Sequence, residues 1–98
     1  MKQNYGVHII HEYHFLEDDY KETDLMKSRY FGDLNSALNY IDKEIDKVIY
    51  EYEFCNPEEF DYGTRSGIIK EIKVYDTCYD CYNLYTYVLL KRRRKHNR

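Results

Sequence analysis

Hydrophobic and polar positions alternate along the first part of the chain. From Tyr5 to Leu16 the odd positions read Tyr5, Val7, Ile9, His11, Tyr13 and Phe15, and the even ones Gly6, His8, Ile10, Glu12, His14 and Leu16. Period two, rich in β-branched and aromatic residues, predicts a strand with its odd side toward the core. Glu17–Thr23 is polar and reads as a loop. Asp24–Phe31 completes a hairpin, although its alternation is poor. The period then changes. Leu34, Ala37, Leu38, Ile41, Ile45, Val48, Ile49 and Tyr52 recur at three- and four-residue steps, which is one face of a helix about 30 Å long. Asn39, Asp42, Lys43, Asp46, Lys47 and Glu51 occupy the other face. Asp33 is placed to cap this helix, and Cys55-Asn56-Pro57 ends it, because proline cannot continue the hydrogen-bond ladder.

Beyond the helix, Glu58–Gly67 reads as an acidic loop with two glycines. Ile68–Tyr75 alternates again, with Ile68, Ile72 and Val74 on one side and Ile69, Glu71, Lys73 and Tyr75 on the other. Asp76–Asp80 reads as a turn, and Cys81–Lys91 as a last strand. The order is ββαββ: an α+β fold with one long amphipathic helix packed on a four-stranded antiparallel sheet. One helix covers one sheet face. The strand sides place Ile10, Ile69, Tyr75, Tyr85, Tyr87 and Leu89 on the opposite face, beside His8 and His14, and an apolar patch of that kind marks an interface. Tyr75, Tyr85 and Tyr87 are its aromatic candidates.

Length adds that the 98 residues hold one domain, assigned to 1–90, followed by a basic tail at 91–98. Charge changes the picture more. The net charge of −3 conceals a split, since residues 91–98 carry six Lys and Arg and no acid. Residues 1–90 carry nine basic residues against all eighteen acidic ones, a net of −9. Such a body repels polyanions and favours a cationic partner surface. The thirteen tyrosines and absence of Trp fit AT-rich coding and suit contact surfaces. No run approaches a membrane helix and no signal-peptide pattern opens the chain, so a cytoplasmic protein without membrane association is expected.

The chemistry-bearing residue types form no established pattern. Three cysteines are an odd number, so a complete set of internal pairs is impossible, and reduced thiols are expected. Cys78-Tyr79-Asp80-Cys81 has the C-x-x-C spacing of half a zinc site, and the candidates for the two further ligands are Cys55, His8, His11 and His14. His8 and His14 share a strand side but lie roughly 20 Å apart, too far for one metal. His11, on the other side, reads as a hydrogen-bonded core histidine. No nucleotide loop or nucleophile motif occurs. Neither enzyme activity nor a cofactor or metal is expected.

Over residues 1–90 the chain resembles small phage-encoded anti-defence proteins, anti-CRISPR proteins among them, in size, acidity and architecture rather than in any motif. The resemblance implies an inhibitor that occupies the basic surface of a host nucleic-acid-handling protein in a bacterial cell. The acidic candidates for that contact are Asp18, Asp19, Glu22, Asp24, Glu51, Glu53, Glu58, Glu59 and Asp61. Two alternatives stand beside it. One is a nucleic-acid-binding protein using Arg92, Arg93, Arg94, Lys95 and the sheet tyrosines. The other is a homodimer built through the open sheet face.

Overall fold

The computed structural model describes residues 4–15, 17, 20–63, 67–76 and 80–91. Asp18, Asp19, Cys78 and Arg92 to Lys95 lie outside the described residues. The chain forms β1 (Tyr5–Phe15), β2 (Tyr20–Phe31), α1 (Leu34–Glu51), a 3-10 turn (Glu53–Cys55), β3 (Glu58–Asp61), β4 (Gly67–Tyr75) and β5 (Cys81–Lys91). The strands make one antiparallel sheet in the order β2-β1-β5-β4-β3. The α+β class and the single long helix agree with the sequence pattern. The strand count does not: the described residues form five strands rather than four. Glu58–Asp61, read as loop, is the edge strand β3, and β2 begins at Tyr20 rather than Asp24. Both are outer strands, and apart from Phe31 at the end of β2 every residue in them is exposed. No burial imposes alternation there, so no period could announce them.

Helix α1 begins where expected. The Asp33 carboxylate accepts from the Ser36 backbone N–H at 3.0 Å and from its hydroxyl at 2.9 Å, and these bonds hold its carboxyl below the ordinary range. At the far end Asn56 adopts the left-handed region at φ 49°, open to a short polar side chain, and Pro57 follows. Between these ends Ala37, Ile41 and Ile45 press on Val7 and Ile9 of β1, Tyr85, Tyr87 and Leu89 of β5, and Ile69, Ile72 and Val74 of β4. The odd side of β1 is therefore the core side, as its alternation predicts.

Three polar links pin the helix across the sheet. Glu44, nearly buried, accepts from Lys27 on β2 and Lys47 on its own helix, both at 2.8 Å. The Arg29 guanidinium lies 5.3 Å from the Tyr40 ring and 5.8 Å from that of Phe31. On the opposite flank, Lys70 of β4 approaches Asp42 at 3.7 Å.

Two strands differ from the sequence-derived sides. In β5, Tyr85, Tyr87 and Leu89 face the helix and are buried, whereas alternation places them on the open face. The register fixes this: Val7, Ile9 and His11 stand opposite Leu89, Tyr87 and Tyr85, and opposed residues share a face. In β4 the pairing slips between Ile68 and Lys70. The bulge turns Ile69 into the core and leaves Ile68 exposed on the far side, reversing their expected roles.

Candidate functional site

The segment from Tyr50 to Tyr62 gathers the end of α1, the 3-10 turn and edge strand β3. It contains Glu51, Glu53, Glu58, Glu59 and Asp61 and no Lys or Arg. Its aromatic residues divide by role. Tyr52 turns inward, packs on the core and shares a 3.3 Å hydroxyl contact with Tyr85. Tyr50 and Phe54 turn outward, 78% and 92% exposed, the most exposed of the large hydrophobic residues described. Phe60 and Tyr62 are exposed at the edge of the sheet. Phe54, so exposed, adds nothing to the core.

The electrostatics of this edge are lopsided. Two cations of β4 answer it: Lys70 reaches Glu59 at 3.4 Å, and Lys73 stands opposite Glu58 in the register. Burial opposes the charge of Lys70, but Glu59, Asp42 and Asp61 outweigh that penalty and raise its pKa. Asp61 also accepts from the Gly63 backbone N–H at 2.9 Å, which fixes the turn leaving β3. Gly63 has φ 107°, a conformation open to glycine and strained for any side chain.

Phe60 and Tyr62 continue onto the sheet face that the helix does not cover. There, Phe60, Tyr62, Glu71, Lys73, Tyr82 and Leu84 line a shallow depression of about 220 Å³. The Tyr62 hydroxyl donates to Glu71 at 2.7 Å, and that acceptor pushes the phenol pKa up. Thr86 donates to the other Glu71 oxygen at 3.3 Å. Lys73 lies 4.3 Å over the Tyr82 ring and 4.9 Å over Tyr75. His14 stacks on Tyr82 with centroids 4.4 Å apart and hydrogen-bonds Glu12 at 2.9 Å. An apolar and aromatic open face therefore exists, but alternation names its members only in part: Ile10, Tyr75, His8 and His14 lie on it, whereas Ile69, Tyr85, Tyr87 and Leu89 are in the core. Of Tyr75, Tyr85 and Tyr87, Tyr75 lies on it, paired with Tyr82. Ile10, Tyr82, Leu84, Val88, Ile68 and Leu90 lie on the same face among the described residues, beside Phe60 and Tyr62.

The acidic candidates separate into two groups. Glu51, Glu53, Glu58, Glu59 and Asp61 belong to one continuous segment. Glu22 and Asp24 sit on β2 at the other edge, four inter-strand spacings or about 19 Å away across the sheet. The two groups do not form one patch. Sequence reasoning finds the carboxylates and misses Tyr50 and Phe54. The available signal is that Tyr50 falls off the apolar stripe of α1 and that Phe54 lies past its last turn.

The histidines behave as strand residues. His11, on the helix side, bonds Asn83 at 2.7 Å and stacks on Tyr85 at 4.6 Å. His8, on the open side, bonds Ser28 at 2.8 Å. Among the described residues no three His, Cys, Asp or Glu side chains converge as a metal ion requires. Among them, too, no helix is long and apolar enough to cross a membrane. Comparison with protein families, characterised proteins and solved structures finds no match.

Proposed function

We propose that the protein acts by occupancy: its acidic, aromatic β3 edge docks on the cationic surface of a nucleic-acid-handling protein and excludes the nucleic acid. One observation carries this reading. The segment 50–62 combines five carboxylates and no base with Tyr50, Phe54, Phe60 and Tyr62 exposed. Carboxylates steer the encounter and select a basic partner, while aromatic side chains that become buried supply most of the affinity. The phage anti-defence resemblance of size and acidity points to the same partner class.

The test is retention of bacterial lysate proteins, after nuclease treatment, on the immobilised chain, compared with a Phe54→Ser/Phe60→Ser variant and a Glu58→Lys/Asp61→Lys variant. The expected result is a nucleic-acid-binding protein held by the wild type, lost with either variant, and displaced by added DNA or RNA. Equal retention by all three proteins contradicts the reading.

A second reading has its own observation. On the open face His14 stacks on Tyr82, Tyr75 meets Tyr82 at a tilt and Lys73 lies over both tyrosine rings, an aromatic, cation-flanked cluster of the kind that single-stranded bases contact. A Tyr82→Ser change separates the two. It abolishes salt-sensitive binding of a single-stranded homopolymer if the cluster takes bases, and leaves retention of the protein partner intact.

A further inference from the structure

Strand β2 is a twelve-residue outer strand, exposed from Tyr20 to Tyr30. Among the described residues no strand pairs with its outer backbone edge. Edges this long invite pairing with another chain. The side chains on this one are not arranged at random. On the helix side of the sheet the strand reads Tyr20, Glu22 and Asp24, and then Lys27, Arg29 and Phe31, acids in the first half and bases in the second. On the open side it reads Lys21, Thr23 and Leu25, and then Ser28 and Tyr30. The change of parity comes from the bulge at Met26, where Ile9 faces Lys27 and Ile10 faces Leu25.

That bulge makes the strand complementary to itself. When two copies run antiparallel about an axis between Leu25 and Met26, Asp24 faces the partner's Lys27 and Glu22 faces the partner's Arg29. Tyr20 then faces the partner's Phe31. On the other side Thr23 faces the partner's Ser28 and Lys21 faces the partner's Tyr30. Every one of these pairs falls on a common face. Without the bulge the same charges would fall on opposite faces and could not meet. Leu25 and Met26, 63% and 50% exposed, lie at the centre, so an apolar middle is flanked on each side by opposite charges. Directly opposed acid–base and aromatic pairs are the cross-strand pairs that stabilise a sheet.

We propose that β2 is the self-pairing edge of a homodimer, in which two five-stranded sheets join edge to edge about a two-fold axis. Both helices then lie on one side of a continuous sheet. The two β3 edges point outward at its ends, and both open faces stay uncovered. The same charges have a competing purpose, since charged edge strands also keep sheets apart. A charge exchange separates the two purposes.

Glu22→Arg sets two guanidinium groups against each other at the Glu22–Arg29 contact, and Arg29→Glu sets two carboxylates against each other there. Each repulsion occurs twice by symmetry. Sedimentation equilibrium over a concentration series should show a dimer for the wild type. Each single variant should dissociate at least about tenfold more readily. An equimolar mixture of the two should recover dimer. In the mixed dimer one of the two contacts pairs the introduced arginine of one copy with the introduced glutamate of the other, and the second keeps the native pair. Asp24→Lys, which leaves the Arg29 contact with Tyr40 intact, should weaken the dimer on its own, and far-UV circular dichroism verifies that each variant is folded. A monomeric wild type at every concentration overturns the proposal. So does a dimer insensitive to all three substitutions, which would place the contact elsewhere, on the open face for example. A mixture that stays monomeric overturns it as well.

Discussion

Tyr85 and Tyr87 stand two residues apart on the same side of β5, and loss of the hydroxyl should have opposite effects at the two positions. Tyr87 is 0% exposed, and its hydroxyl has no hydrogen-bond partner among the described residues. Burial, reinforced by the charge of Glu44, pushes its phenol pKa well up. A buried polar group without a partner costs about 1–3 kcal/mol. Tyr87→Phe removes that cost while keeping the ring that fills the space under α1, so it should stabilise the fold by about 1 kcal/mol. For a domain of this size that corresponds to a rise in Tm of about 4–8 °C. Tyr85→Phe removes the partner of the Tyr52 hydroxyl, 3.3 Å away, and should cost about 0.5–1.5 kcal/mol. Urea unfolding followed by far-UV circular dichroism, at constant m-value, measures both. If Tyr87→Phe destabilises as much as Tyr85→Phe, the Tyr87 hydroxyl is satisfied and the reasoning about the core beneath the helix is refuted.

Further expectations concern the helix anchor, pH and the exposed edge. Glu44→Gln gives up two ammonium contacts from lysines that are themselves largely exposed. After solvent screening it should cost about 1 kcal/mol, read as a lower urea midpoint. Burial opposes ionisation of Glu44, but Lys27 and Lys47 outweigh it and depress its pKa. In Glu12 the His14 and Lys21 contacts likewise win over burial. With folded pKa values below the ordinary 4.5, both groups stabilise the fold above that pH. This contribution is lost as pH falls through the depressed values, so stability measured by urea titration should drop on the acid side. On the alkaline side the raised Tyr85 and Tyr87 phenols should make stability fall as pH rises past the ordinary 10.0. Phe54→Ser, at a site that touches no core, should change stability by less than about 0.5 kcal/mol while abolishing partner retention. A large loss of stability would make Phe54 a packing residue.

Legibility in the sequence follows burial. Helix α1 and the core side of β1 can be read because each buries one face: Ala37, Ile41 and Ile45 recur with the helical period, and Val7 and Ile9 with the strand period. Strand β5 lies at the centre of the sheet and is apolar on both sides, with Tyr82, Leu84 and Val88 on one and Tyr85, Tyr87 and Leu89 on the other. Parity alone cannot tell which side the helix covers; only pairing with Val7 and Ile9 decides it. The bulge in β4 exchanges Ile68 and Ile69, and a single extra residue leaves no mark in composition. β2 and β3 bury almost nothing and so carry no period. The acidic half of the candidate edge is visible in the carboxylates of 51–61. Its aromatic half is not, because exposure of Tyr50 and Phe54 depends on where the helix turns them.

Contact through the β3 edge is the claim on which occupancy depends. Site-specific photo-crosslinking tests it most directly, with benzoylphenylalanine placed at Phe54 or Tyr62 and, as a control, at Lys43 on the exposed side of α1. The expected result is one nucleic-acid-binding protein crosslinked from positions 54 and 62, competed away by nucleic acid, and no adduct from position 43. Adducts of equal yield from all three positions, or from position 43 alone, would contradict it.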